Sequence, residues 1–279
     1  MNWSLKTLTT TASIVFASFA SAISAHAGEV LDRVLSTKTL TVAVGTDWGA
    51  VSHLNDKGLL VGCDVDIANA IAKYLGVEVK FVTPGWDIIM AGNWQGRWDM
   101  AMGQMAPKKE RERVFDFPAN YYYEQVVAVV HRDSKTTKLA DLDGKTVGAL
   151  ANSAYNDYAN HKLNPDWKGS TPITYQFKPG AVTSYGATTM AFDDLRLGDG
   201  VRLDAVIADK VVANTAISKG YPMKILNDPL YAAPAAIAIL KGDNEFSEKI
   251  AAAVKGMKDD GSLSKLSIKW YGADYSTEK

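Results

Sequence analysis

The sequence predicts an α/β fold, and two patterns carry that prediction. Residues 66–75 place Ile67, Ile71 and Leu75 on one face of a helix that Gly76 stops, and residues 77–82 then alternate like a strand. Short apolar runs at 99–102 and 203–208 suit strands buried on both faces, as in a parallel sheet. Open α/β sheets bind small ligands in the crevice at the carboxyl ends of their strands. The loops carrying Trp86 and Arg111 are therefore candidate ligand contacts.

The elements follow in order. Lys6, an apolar run through about residues 14–23 and Ala25-His26-Ala27 have the layout of a secretory signal peptide with an Ala-x-Ala cleavage site. Removal of residues 1–27 is expected, leaving Gly28 at the mature N-terminus. That run is too short to span a membrane, and no second hydrophobic stretch approaches ~20 residues. Residues 39–45 read as the first strand, followed by a loop through Asp47, Trp48 and Gly58. After the unit at 66–82, a helix runs from Trp86 to about Gly96, and strands follow at 99–102 and 124–131. Residues 146–150 read as a strand, and 153–161 as a helix with Asn152 or Ser153 near its start. Lys178-Pro179-Gly180 and Leu197-Gly198-Asp199-Gly200 mark turns. The strand at 203–208 leads into a helix through about Lys219; residues 231–240 are extended and apolar, and 245–260 form an amphipathic helix stopped by Gly261.

Composition narrows the function classes. Residues 1–27 hold one base, Lys6, and no acid, so their removal moves the formal charge from -1 to -2. No basic stripe remains, which argues against nucleic acid or an anionic membrane as partner. The mature length suffices for two modest lobes. The single cysteine, Cys63, rules out an intramolecular disulfide and does not stand at the cleavage site, so a soluble rather than lipid-anchored protein is expected. Cys63 reads as a buried small hydrophobe. His53, His131 and His161 are scattered without spacing that points to a thiol active site or a metal site.

Gly62-Cys63-Asp64-Val65-Asp66, Trp86, Asp99, Glu110-Arg111, Asp116-Phe117, Tyr121-Tyr122, the run 141–145, the run 204–209 and Lys269-Trp270-Tyr271-Gly272 form an ordered set across most of the chain. In that set the chain resembles the amino-acid-binding proteins of ABC importers, the type 3 extracellular solute-binding proteins. The resemblance implies a two-lobed periplasmic-binding-protein fold of type II with two hinge crossings, near residues 121–125 and 231–235. Lobe 1 would comprise residues 28–121 and 236–279, and lobe 2 residues 122–235. It also implies a periplasmic location, a monomer, a permease in the inner membrane as partner and no cofactor.

A free α-amino acid presents a carboxylate and an ammonium a fixed distance apart, which one planar bidentate cation and one facing anion satisfy. In the family the arginine lies six residues before the phenylalanine of Asp-Phe; Arg111 has that spacing to Phe117, and Arg113 reads as an exposed neighbour. The family's ammonium partner corresponds to Asp209, which also stands where a helix N-cap is expected. Asn152-Ser153-Ala154 occupies the place of the family's Gly-Thr-Thr, so Ser153 is a candidate for the ligand carboxylate. Trp86 and Trp48 are candidate apolar walls, Asp47 a candidate for the ammonium or a basic ligand tail, and Trp94 and Trp98 read as core. Ala106 stands where a Ser or Thr is usual, and Gln104 where a small residue is usual. One side-chain hydrogen bond is therefore expected to be missing, although backbone groups at both positions remain available. Lys108 and Lys109 read as a solvated loop face. The departures point toward an atypical or acidic amino-acid derivative.

The leading function is a receptor that closes around an amino acid or derivative and delivers it to a permease. A cyclohexadienyl or arogenate dehydratase-like lyase on the same fold is the alternative, weakened because no glutamate stands out as a pocket acid. A ligand-sensing module would need a separate signalling protein.

Overall fold

A computed structural model describes residues 29–278. The expected signal peptide and its Ala25-His26-Ala27 motif lie outside them. The chain runs α1 (Glu29–Thr37), β1 (Thr39–Ala43), β2 (His53–Leu54), β3 (Leu60–Val61), α2 (Cys63–Leu75), β4 (Glu78–Val82), α3 (Trp86–Met90), β5 (Met100–Met105) and β6 (Phe115–Asp116). It continues through β7 (Asn120–His131), β8 (Thr146–Leu150), α4 (Ala154–Ala159), β9 (Ala181–Tyr185), α5 (Thr188–Leu195), β10 (Ala205–Asp209), α6 (Lys210–Ser218), β11 (Met223–Leu240), α7 (Asn244–Asp259) and α8 (Ser262–Tyr271). This is the α/β class expected from the sequence.

One sheet runs in the order β4-β1-β5-β11-β7-β10-β8-β9, with β6 against β11. β1 pairs in parallel with β4 and β5, and β8 in parallel with β9 and β10. The two long antiparallel strands join these parallel sets. β7 pairs with β10 through Val126–Val130, and β11 pairs with β5 through Ala236, Ala238 and Ile239. The β7–β11 register shifts between Leu226 and Tyr231 and again between Ala235 and Ala236, so the sheet changes course there.

The inner strands β5, β8 and β10 are covered on both faces, which is why they are mostly apolar, whereas the edge strands β4 and β9 carry exposed polar residues. Around β1 and β5, Ile67, Ile71, Ile237, Phe246 and Ile250 fill one face, and Trp86, Ile89, Trp94, Trp98 and Phe115 the other. Around β8 and β10, Val126, Val147 and Ile207 pack with α4 on one side, while Phe192, Leu195, Leu203 and Val206 pack on the other. Helix α2 buries Ile67 and Ile71 at helical spacing and ends at Gly76, whose left-handed φ of 70° closes the cap onto Lys73. Trp94 and Trp98 are core residues as expected.

The helix expected from Trp86 to about Gly96 ends at Met90. Gly92, Gln95 and Gly96 all take positive φ, and the Trp94 indole N–H donates to the Ile89 carbonyl at 2.9 Å, which fixes a turn instead. The strand expected at 231–240 begins at Met223, where it pairs with the far end of β7. Among the described residues no helix is long and apolar enough to cross a membrane.

Candidate functional site

A cavity of about 50 Å³ lies where the carboxyl ends of β5, β8 and β10 converge, room for a few water molecules. Trp48, Val51, Trp86, Gly103, Gln104, Ala106 and Arg111 line one side; Leu150, Ser153, Ala154, Tyr155, Thr188, Asp209 and Val212 line the other. Glu124, on β7, stands at the seam.

Arg111 sits in the single-turn helix Arg111–Arg113 and is buried. Its Nη1 donates to the Ala106 carbonyl at 2.9 Å and its Nη2 to the Asn152 carbonyl at 3.3 Å. Its Nε has no partner among the described residues, nor has the Gln104 side-chain Nε2. A buried donor left unpaired is costly, so these two groups mark where an acceptor is wanted. The Ala106 carbonyl thus orients the guanidinium.

The backbone under the site is strained in a specific way. Gln104 takes φ 58° and Asn152 φ 57°, uncommon for residues with a Cβ. Asn152 thereby turns its carbonyl toward both Arg111 and the Trp86 indole N–H, at 3.4 Å from the latter. The Gln104 N–H donates to the Tyr121 hydroxyl at 3.0 Å, which donates to Asp64 at 3.1 Å. Burial pushes the Asp64 carboxyl up to about 8. Trp48 and Trp86 meet edge to face at 6.0 Å and 80°. A Cβ on Gly103 would come within 2.5 Å of the Trp48 ring, so only glycine fits there.

Asp209 caps α6, its Oδ1 accepting from Val211 N–H at 2.7 Å and Val212 N–H at 3.2 Å. Its Oδ2 accepts from the Tyr122 hydroxyl at 3.1 Å. Burial nevertheless raises its pKa to about 6. The Ser153 hydroxyl, expected to face a ligand, donates to the Leu150 carbonyl at 2.6 Å and caps α4 through the Asn156 N–H. Both residues line the cavity while already serving the local backbone.

Two expectations are corrected. Asp47 is exposed and outside the cavity, where it accepts from the Thr189 hydroxyl at 2.7 Å. It forms an extended bridge with His53, so its side chain points away from that of Trp48, which faces inward. Lys108 is buried rather than solvated and pairs with Asp157 at 2.6 Å and with Glu110. Cys63 is buried as expected, and desolvation pushes its thiol up to about 12, which leaves it inert. The described residues hold no cluster of three metal-ligating side chains.

Sequence reasoning missed Glu124. It is 1% exposed, and its Oε2 accepts from the Tyr155 hydroxyl at 2.7 Å. Burial and the nearby Asp209 carboxylate raise it to about 8, with Tyr155 and Arg111 pulling the other way. Its signal was available: a lone acid inside the buried strand Asn120–His131.

The L-cystine-binding protein TcyJ of Escherichia coli strain K12 is 29% identical over 248 residues, 88% of this chain and 87% of its own. A solved ancestral arginine-binding protein bound to glutamine superposes with a TM-score of 0.73 at 30% identity, covering 84% of this chain and 98% of that one. An ancestral amino-acid-binding protein described as a precursor of cyclohexadienyl dehydratase gives 0.73 at 27% identity, covering 86% and 99%. The architecture is accordingly the two-lobed, type II periplasmic-binding-protein fold that the resemblance implied. With residues 40–273 matching the family's pattern, the chain belongs to the bacterial extracellular solute-binding proteins, family 3.

Proposed function

We propose that this protein is a periplasmic receptor that encloses a free amino acid, or a close derivative, between two lobes and delivers it to an ABC importer permease. One observation carries the reading: a buried guanidinium with an unpaired Nε shares a cavity with two buried carboxyl groups. That is the charge layout a zwitterion needs. Arg111 takes the ligand carboxylate, Gln104 adds a donor, Trp48 and Trp86 hold the side chain, and the carboxyl side of the cavity draws the ammonium.

The lobes proposed are residues 28–121 with 236–279, and residues 122–235, crossing near 121–125 and 231–235. The register shifts of β11, and the pairing of β11 with one parallel set, of β7 with the other and of the two strands with each other, support that division. Cleavage near Ala27, action as a monomer and delivery to an inner-membrane permease complete the proposal.

Glu124 favours a second reading, because a buried carboxyl that holds its proton near neutral pH is what a lyase acid requires. From the sequence no glutamate stood out as a pocket acid, and Glu124 is one. Thermal-shift measurement against the twenty proteinogenic L-amino acids and L-cystine tests the receptor. At a hundredfold excess over Kd a true ligand stabilises by ~2.7 kcal/mol, roughly 5–10 °C for a chain of this size. Absence of any such shift, together with steady release of phenylpyruvate from prephenate, would replace the receptor by the lyase.

A further inference from the structure

We infer that Glu124, rather than Asp209, supplies the carboxylate that meets the ligand's ammonium, so that the site selects amines and excludes acidic side chains. The inference rests on the receptor reading and deepens it.

Acceptor capacity separates the two acids. An ionised carboxylate offers about four lone-pair positions. Asp209 gives three of them to the N–H groups of Val211 and Val212 and to the Tyr122 hydroxyl, and the Gln125 backbone N–H also faces it. Little remains for a ligand unless the cap of α6 is given up. Glu124 lines the cavity and has one hydrogen-bond partner among the described residues, the Tyr155 hydroxyl on Oε2, which leaves its other oxygen without one. The two roles are thus divided: Asp209 is a positioning residue that holds the end of β10 and the start of α6 against Tyr122, and Glu124 is the acceptor.

The charge count gives the selectivity. Arg111 contributes one positive charge, while Glu124 and Asp209 contribute two negative ones when ionised. A ligand carboxylate consumes the guanidinium and the ammonium consumes Glu124, so a second ligand carboxylate would face the negative charge of Asp209 with no fixed cation left in the cavity. The departures at Gln104 and Ala106 suggested an acidic derivative from sequence; Glu124 argues against it.

Proton linkage follows. Facing Glu124 are Asp209 from β10, Tyr122 on its own strand, Tyr155 from α4, Tyr231 from β11 and Arg111, with Asp157 behind Arg111 and Tyr231. Empty, Glu124 titrates near 8 and is mostly protonated at pH 7; Asp209, near 6, is mostly ionised there. An ammonium beside Glu124 lowers its pKa, so binding at pH 7 expels a proton, and affinity rises with pH between about 6 and 8.

The test carries the tightest of the twenty L-amino acids and L-cystine into calorimetry at pH 7, in two buffers of different ionisation enthalpy. The wild type releases most of one proton. Glu124→Gln, which keeps the shape and a hydrogen-bonding partner for Tyr155, loses roughly 30-fold or more in affinity and releases none. Asp209→Asn melts lower yet still releases the proton. Tyr155→Phe, which leaves Glu124 in place without its donor, binds with its pH midpoint moved upward. Wild-type affinity and proton release in Glu124→Gln overturn the inference, as does loss of the release in Asp209→Asn alone. In either case a loss of binding in Arg111→Lys leaves the receptor reading standing. If no amino acid binds the wild type, both fall.

Discussion

Replacing Lys108 by methionine should loosen the closed arrangement by about 1–2 kcal/mol, a figure set between two limits. Lys108 Nζ lies 2.6 Å from Asp157 Oδ2, a contact between the two proposed lobes. A unit pair at 4 Å is worth ~1 kcal/mol in water and ~4 kcal/mol at an effective dielectric of 20. The lysine side chain is 6% exposed but Asp157 is 32% exposed, so Asp157 regains water when its partner is removed. The net loss therefore falls above the ~0–1 kcal/mol of a surface pair and below the ~3–5 kcal/mol of a fully buried one. Methionine keeps the buried stem packed and deletes only the charge. Because apparent affinity scales with the closed fraction, calorimetry should show a loss of at most roughly 5–30-fold, smaller the more the empty wild type is closed. Scattering should show a larger radius of gyration for the empty variant than for the empty wild type. Unchanged affinity together with an unchanged radius would refute the reasoning, and show that Lys109 with Asp166 and Trp86 with Asn152 hold the lobes without it.

Trp94 is fully buried against Trp98 and Phe115, so Trp94→Ala should cost ~3–5 kcal/mol in urea unfolding; a loss under ~1 kcal/mol would mean the site collapses around the gap. Asp64, raised to about 8, keeps its proton in the folded protein after the unfolded chain has released it near pH 4. Its contribution to stability therefore falls as pH rises from about 4 to about 8, by at most ~1.4 kcal/mol per pH unit. Relative to Asp64→Asn, the wild type should lose stability in urea titrations between pH 5 and pH 8; parallel curves would contradict this.

The sequence was most legible where a local pattern has a local cause. The spacing of Ile67 and Ile71 with Gly76 marked α2, and the apolar runs at 99–102 and 203–208 marked β5 and β10. Motif spacing and strand-end position singled out Arg111 and Trp86, both of which line the cavity. What stayed hidden depends on distant partners or on missing signals. Helix α1 takes its N-terminal hydrogen bonds from Asp243, more than two hundred residues away. Helices α5 and α8 have Ala187 and Gly261 at their N-cap positions, neither of which offers a side-chain cap. Strand β9 lies at the sheet edge with a mostly exposed face, so it lacks a buried alternation. Lys108 looked like a surface lysine because Asp157, which buries it, is 49 residues on; Glu124 needed Tyr155, 31 residues on, to be understood.

The central claim is that Arg111 receives the carboxylate of an amino acid. Calorimetry of Arg111→Lys and of Arg113→Lys, each with the tightest-binding of the twenty L-amino acids and L-cystine, tests it directly. Lysine keeps the charge but not the planar pair of donors, so Arg111→Lys should lose roughly 30-fold or more in affinity. Arg113 is exposed, and Arg113→Lys should bind within about twofold of wild type, less than ~0.5 kcal/mol. Equal losses at the two positions, or undiminished binding in Arg111→Lys, would contradict the account.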